Sequence, residues 1–365
     1  MNRLAVASLA VAAVLGTTGG VALAVAQTGD DTDGRDTATA DTDGRDTAGR
    51  DAGGLLYYAD GAIHDGEQNV AVPTTVGDVL ALQRVQDGWL LVEATEYTSG
   101  DPTRLGTYIT ADGDDWRIGE WRGAWDLTVE RDRVVFGNGV SWKVADFAER
   151  KATPLDVVDG LGEELDFMTR PEIVSGIAVT MKGVLTGWEE NGENRIVQTE
   201  TDHWTHELLA LPPTVDVPLT SADGTFAVAT YPNPASTPTN PVGGCLTGGR
   251  LAAVDGWWSE CGIGPASGDP FSRDGEQVLT GLSVNDGPAP SKLTVRDSAT
   301  GEVQHELDPG GYLEGVEWAD EDGVVVTLTG GDGTTALTIS RCVVRTGKCA
   351  AAAKVEGDVV LGSST

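Results

Sequence analysis

Residues 272–307 read SRDGEQVLTGLSVNDGPAPSKLTVRDSATGEVQHEL, and they contain most of one structural unit. Ser272-Arg273-Asp274-Gly275 is a tight turn: glycine takes the positive φ that such a hairpin needs, while Ser and Asp side chains bond to nearby backbone. Val278 to Val284 alternates as a strand does, and Leu293-Thr294-Val295 opens the next one. Asp297-Ser298-Ala299-Thr300-Gly301-Glu302 then turns the chain into Val303 to Leu307. With the strand that must precede the first turn, this makes four short antiparallel strands.

The same chemistry returns along the chain. Ser221-Ala222-Asp223-Gly224 leads into Phe226-Ala227-Val228-Ala229, Trp318 to Gly323 leads into Val324 to Leu328, and Val85-Gln86-Asp87-Gly88 leads into Trp89-Leu90-Leu91-Val92. Aligned on their acidic turn residues, Asp87, Asp132, Glu172, Asp223, Asp274 and Asp322 mark units of about 40 to 50 residues, the period of propeller blades made of strands rather than helices. The Ser-x-Asp-Gly and Asp-x-x-Thr-Gly-Glu turns resemble those of the WD-repeat and TolB-like β-propellers, over roughly residues 55 to 360. The departures are the lack of a Gly-His start and the single Trp-Asp dipeptide, Trp125-Asp126. A bacterial secreted propeller therefore fits better than a true WD-repeat protein.

Six units are visible, and Leu55 to Pro73 adds a further hairpin. Because an open ring leaves unpaired strand edges, this hairpin is expected to join Val359-Val360-Leu361 in a composite seventh blade. A six-bladed ring with the hairpin packed on an outer edge is the alternative.

The amino terminus addresses the chain to a membrane. After Arg3, residues Leu4 to Ala26 carry no ionisable side chain, Gly16 to Gly20 interrupt the apolar run, and Ala24-Val25-Ala26 precedes Gln27 as in a secretory cleavage site. Residues 1–26 thus read as a signal peptide, or as an uncleaved anchor, since about 20 apolar residues suffice to cross a bilayer. Residues 27–54 repeat Asp-Thr-Asp-Gly-Arg-Asp-Thr-Ala at 31–38 and 41–48, have no aromatic residue, and set eight Asp against three Arg. This linker is expected to stay extended and solvated. Residues 55–365 are the propeller domain.

The chain has 57 acidic and 24 basic side chains, a formal charge of −33. Such a surface repels phosphate backbones, so nucleic acid is not expected as a partner. Weak Ca2+ capture by Asp31/Asp33, Asp41/Asp43 or Asp112-Gly113-Asp114-Asp115 is the only cofactor chemistry that the composition suggests, and solubility explains those carboxylates equally well.

Four cysteines in an exported chain favour disulfides. Of the three connectivities, Cys245 with Cys261 and Cys342 with Cys349 keep each pair inside one unit. Thr346-Gly347-Lys348 stands where Thr300-Gly301-Glu302 stood, setting Cys342 and Cys349 on opposite sides of one turn. No zinc-binding Cys-x-x-Cys spacing is present.

Catalytic candidates are weak. His203 and His206 are three apart and would face opposite ways on a strand, and His64 and His305 accompany no nucleophile elbow. Glu163-Glu164, Glu189-Glu190, Asp114-Asp115 and Asp320-Glu321-Asp322 read as solvated hairpin tips. Among ten tryptophans, Trp257, Trp258, Trp116 and Trp121 are the candidate binding residues, with packing between twisted sheets as the ordinary alternative role. Residues 232–248, with four Pro, form an irregular insert suited to recognition. The expected function is binding or scaffolding across a ring face, by a monomer, toward an extracellular protein, peptide or glycan. The alternative is a hydrolase or lyase of extracellular polysaccharide, which a cluster of carboxylates and a His in the central funnel would favour.

Overall fold

The computed structural model describes residues 54–363, apart from 74, 98–101, 138–141, 156–173, 181–182, 191–192, 200–205, 210–217, 237–242, 284–291, 320–322 and 332–335; for 155 and 174–209 it describes the backbone only. The amino-terminal segment, the Asp-rich linker to residue 53, His203, Glu163-Glu164, Glu172 and Asp320-Glu321-Asp322 lie outside the described residues, as do the side chains of His206 and Glu189-Glu190.

The described elements are strands, with short 3-10 turns. The first hairpin group is β1 (Leu56–Ala59), β2 (Ala62–Asp65) and β3 (Gln68–Ala71). Next come β4 (Asp78–Val85), β5 (Gly88–Tyr97), β6 (Pro102–Thr110) and β7 (Asp115–Trp121). They are followed by β8 (Trp125–Leu127), β9 (Arg133–Gly137), β10 (Trp142–Asp146) and β11 (Lys151–Leu155). Then follow β12 (Val174–Thr180), β13 (Gly183–Glu190), β14 (Glu193–Thr199) and β15 (His206–Leu209). The fifth group is β16 (Leu219–Thr220), β17 (Phe226–Tyr231), β18 (Cys245–Arg250) and β19 (Trp258–Cys261). The sixth is β20 (Ile263–Pro265), β21 (Gln277–Leu282), β22 (Leu293–Asp297) and β23 (Val303–Leu307). Last come β24 (Tyr312–Trp318), β25 (Val324–Gly330), β26 (Ala336–Val343), β27 (Lys348–Glu356) and β28 (Val360–Ser363).

Hydrogen bonding sorts these strands into five four-stranded antiparallel sheets and one of eight strands, ordered β3-β2-β1-β28-β4-β5-β6-β7. The large sheet is two four-stranded halves. Within the first, β28 pairs antiparallel with β1 through Tyr57↔Leu361 and Tyr58↔Val360, the junction anticipated between the first hairpin and the carboxy-terminal strand. The halves meet where β28 runs parallel to β4, with Gly362 opposite Leu82 and Ser363 opposite Gln83.

Apolar side chains gather between successive sheets. Leu90, Tyr108 and Trp121 pack against Val134, Phe136 and Phe147; Phe226 and Leu246 against Phe271 and Val278; Leu293 and Leu307 against Trp318 and Val325. Leu328 and Ile339 meet Leu55 and Leu361, and Leu56 and Ile63 meet Leu82 and Trp89. A middle strand is therefore covered on both faces, so its sequence loses the alternation of a half-exposed strand. Val324 to Gly330 is buried throughout for this reason. Each buried Val, Leu or Phe contributes about 1.5–3 kcal/mol relative to an exposed one.

Both expected disulfides are formed, between Cys245 and Cys261 and between Cys342 and Cys349. Each joins directly opposed residues of neighbouring strands, β18 with β19 and β26 with β27. One boundary needs correction: residues 245–248 belong to β18, so the irregular insert ends before Cys245. The pairing of Tyr231 with Cys245 carries the ladder to that point.

Candidate functional site

The turn between the first two strands recurs with one hydrogen-bond pattern from unit to unit. In the β20–β21 connection, Ser272 N donates to Gln277 O and Gly275 N to Ser272 O, with Gly275 at φ 72°. The β16–β17 connection repeats this from Ser221 to Phe226, with Gly224 at φ 67°. The β8–β9 connection has the same two bonds, Thr128 N to Arg133 O and Arg131 N to Thr128 O, but its left-handed position holds Arg131 at φ 54°. In the glycine turns the Ser hydroxyl donates to the Asp two residues on, at 2.7 Å for Ser221–Asp223 and 2.6 Å for Ser272–Asp274. Thr128 instead donates to Asp132, at 2.6 Å. Alignment on acidic residues alone therefore misplaces this turn by two residues: Glu130 stands where Asp223 and Asp274 stand, and Arg131 stands where glycine does.

A non-glycine residue in this conformation is strained by about 1–2 kcal/mol, and such outliers gather where a side chain is needed. The Arg131 guanidinium donates through Nη1 to the backbone oxygens of Arg84 on β4 (2.9 Å) and Ser363 on β28 (3.3 Å). Its Nη2 lies 3.5 Å from Ser363 Oγ and 4.0 Å from Asp269 Oδ2. Asp269 lies between β20 and β21, so one side chain reaches two neighbouring sheet units and a third that stands several sheets later in the chain.

The charges around it are mostly negative. Burial, with a smaller contribution from Asp269, raises the Glu317 carboxyl on β24 well above the usual range, against the pull of Arg131. Its Oε2 is buried and accepts no hydrogen bond among the described residues. Asp269 is raised to about 6, chiefly by desolvation and against the pull of Arg131 and of a bond from Phe271 N. The Asp269 side chain keeps 40% exposure. Asp126 also faces Arg131, and Arg84 is paired with Asp65. Sequence reasoning singled out none of Arg131, Asp269 and Glu317. The available signal was an Arg in the place of a repeat glycine. The cluster contains no His, unlike the arrangement that would favour the catalytic alternative.

The candidate tryptophans take different positions. Trp121 is 4% exposed and packs at 4.8 Å against Phe136 and 6.5 Å against Trp125. Trp258 donates to Ser298 O at 3.1 Å and covers Gly301 so closely that a Cβ there would meet its ring at 2.5 Å. Trp116 is partly buried against the core shared by the β4–β7 and β8–β11 sheets, and Trp257, also partly buried, donates to Arg250 O at 2.8 Å. His64 stacks on Tyr57 at 4.5 Å. Among the described residues no group of three His, Cys, Asp or Glu could hold a metal ion, and no helix is long and apolar enough to cross a membrane.

A second surface lies where the β4–β7 and β8–β11 sheets adjoin. A cleft of about 660 Å³ is lined by Trp121 and Phe136 and by the charged residues Arg117, Arg122, Lys143, Glu96 and Glu120. Val76 also lines it and is 52% exposed; Leu80 at 40% and Tyr97 at 53% belong to the same sheet. These are three of the five large apolar side chains left exposed among the described residues, the others being Leu282 and Val303. The Tyr97 hydroxyl donates to Asp78 at 3.0 Å, which sets the ring beside the start of β4, and Leu80 is the unpaired residue of a bulge between Val79 and Ala81.

No protein-family model matches the sequence, and no curated protein matches it. Among solved structures, a chain of the mitotic checkpoint complex superposes with a TM-score of 0.50 at 11% identity, covering 88% of this chain and 87% of that one. The hydrazine synthase of Kuenenia stuttgartiensis gives 0.47 at 15% identity over 74% and 78%. TolB from Acinetobacter baumannii gives 0.42 at 12% identity over 80% and 68%. With its four-stranded antiparallel sheets packed face to face in chain order, this chain has the β-propeller fold.

Proposed function

We propose that the protein is a non-catalytic, extracytoplasmic propeller that recognises a protein, peptide or glycan at the cell envelope and acts as a monomer. Residues 1–26 export or anchor it and residues 27–54 hold the ring away from the membrane. Counting the two halves of the large sheet separately, the strand pairing supports seven blades. The two disulfides support an oxidising compartment.

The observation that carries the recognition reading is that three of the five large apolar side chains left exposed among the described residues, Val76, Leu80 and Tyr97, fall just before β4, on β4 and at the end of β5. Large apolar side chains left in water as a group mark interaction sites more often than solvated surface does, and tyrosine is favoured at the centres of such contacts. A photo-crosslinking residue at position 97 of the full chain, in cells, is expected to trap a discrete adduct that the same residue at position 303 does not. Equal adducts from both positions, or none from 97, remove this reading. Thiol counting on the exported protein under denaturing, non-reducing conditions is expected to find none free, and two or more free thiols would remove the oxidised compartment.

The second reading, a hydrolase or lyase of extracellular polysaccharide, draws support from the two carboxylates beside Arg131 whose pKa is raised, Asp269 and Glu317. Chain shortening of a polysaccharide that Asp269→Asn abolishes would establish it. No shortening by the wild-type chain would discard it.

A further inference from the structure

Resting on the recognition reading, we infer that the cleft beside β7 takes an extended peptide carrying carboxylates next to apolar side chains. Charge is the first argument. On a chain with a formal charge of −33, three cations line this single cleft, Arg117, Arg122 and Lys143. Arg122 is already engaged, 3.6 Å from the Glu96 carboxylate and donating to Thr103 Oγ1 at 2.9 Å. Arg117 and Lys143 are exposed and have no ion-pair or hydrogen-bond partner among the described residues. The fifth charged group, Glu120, faces the same space, leaving two unmatched cations against one unmatched carboxylate. Long-range attraction does not explain cations at this place, because the field of the whole molecule repels anions. Only a carboxylate held at short range by other contacts would use them.

Those other contacts are apolar and backbone groups. Val76, Leu105 and Phe136 form the apolar wall. The floor includes Trp121, whose residue is 4% exposed and whose indole Nε1 finds no acceptor. Arg117 stands on β7, the outer edge strand of its sheet. An edge strand presents unpaired backbone groups to which an extended chain adds as a further strand, with pockets reading alternate side chains. Carboxylates from such a strand would meet Arg117 and Lys143, and the residues between them the apolar wall. A glycan fits less well, because Trp121 is buried and offers no open ring face.

The test uses the full chain and fluorescein-labelled octapeptides, read by polarisation. A peptide alternating leucine and glutamate is expected to bind, and one alternating leucine and lysine to bind at least about tenfold more weakly. The double variant Arg117→Glu/Lys143→Glu should weaken the acidic peptide by about tenfold, and Val76→Ser by about fivefold, at unchanged thermal midpoints. Equal binding of the two peptides, undiminished binding by the charge-reversed variant, or binding of an oligouronate but no peptide would overturn the inference. If no peptide binds while the crosslinker at position 97 still traps a partner, the acidic-peptide inference fails and the recognition reading stands.

Discussion

The β8–β9 and β20–β21 turns have one backbone pattern and opposite solutions to its left-handed position. In the second, Gly275 takes φ 72° without strain and leaves the space beside Ser221 empty of side chain. In the first, Arg131 takes a similar φ and sends its side chain out of the turn, bonding to β4 and β28 and facing Asp269 and Glu317. A repeat thus constrains backbone geometry without constraining its use. The unit that departs from the repeat is also the one beside the ring closure, where β28 meets β4.

Removing the guanidinium is the strongest way to break this comparison. Arg131→Ala strips a charged donor from the backbone oxygens of Arg84 and Ser363, and is expected to cost about 3 kcal/mol, the scale of losing hydrogen bonds from a charged group and leaving their acceptors unpaired; chemical denaturation measures it. Gly275→Ala attacks the other turn. A Cβ there sits 2.8 Å from Ser221 Cβ at a φ that side chains avoid, so a loss of about 2 kcal/mol is expected. If Gly275→Ala costs nothing, the equivalence of the two turns is lost. Arg131→Gly sharpens the comparison, since it removes the guanidinium but relieves the backbone. It should therefore be about 1 kcal/mol more stable than Arg131→Ala.

The smallest expected effect is on pH dependence. Asp269 and Glu317 bind protons more tightly folded than unfolded, so their contribution is fully present below the unfolded carboxyl range near 4 and is lost as pH rises through about 6 for Asp269 and higher for Glu317. The groups facing them are Arg131 with Asp126 and Arg84 around it. Thermal midpoints should rise as pH falls from 7.5 to 5, and by less in Asp269→Asn. Relief of the general negative charge acts on both proteins, so only the difference between their slopes reports the Asp269 carboxylate. Identical slopes would mean that Asp269 titrates as an ordinary surface group.

Much of the β20–β23 sheet was legible because its determinants are local. Ser272 to Gly275 and Asp297 to Glu302 each satisfy their own backbone, and Val303–Leu307 falls where its turn requires. The cysteine pairs were legible for a related reason: Cys342 and Cys349 flank a short turn, and antiparallel pairing sets them opposite one another. The cleft was not legible. Trp121 was singled out for binding, but its ring lies against Phe136, from the next sheet, and a one-dimensional pattern does not say which residues of two sheets share a wall.

By itself, then, the sequence determined the unit of construction, its turns, the partners of its cysteines and the junction of its first and last strands, because each follows from hydrogen bonding between near neighbours or from the need to close an edge. Tertiary structure alone decided that Asp269, Glu317 and Ser363 surround Arg131, and that Arg117 and Lys143 share a cleft. Those groups belong to different sheets. Their energies depend on distance and surrounding dielectric, quantities that exist only once the sheets have packed.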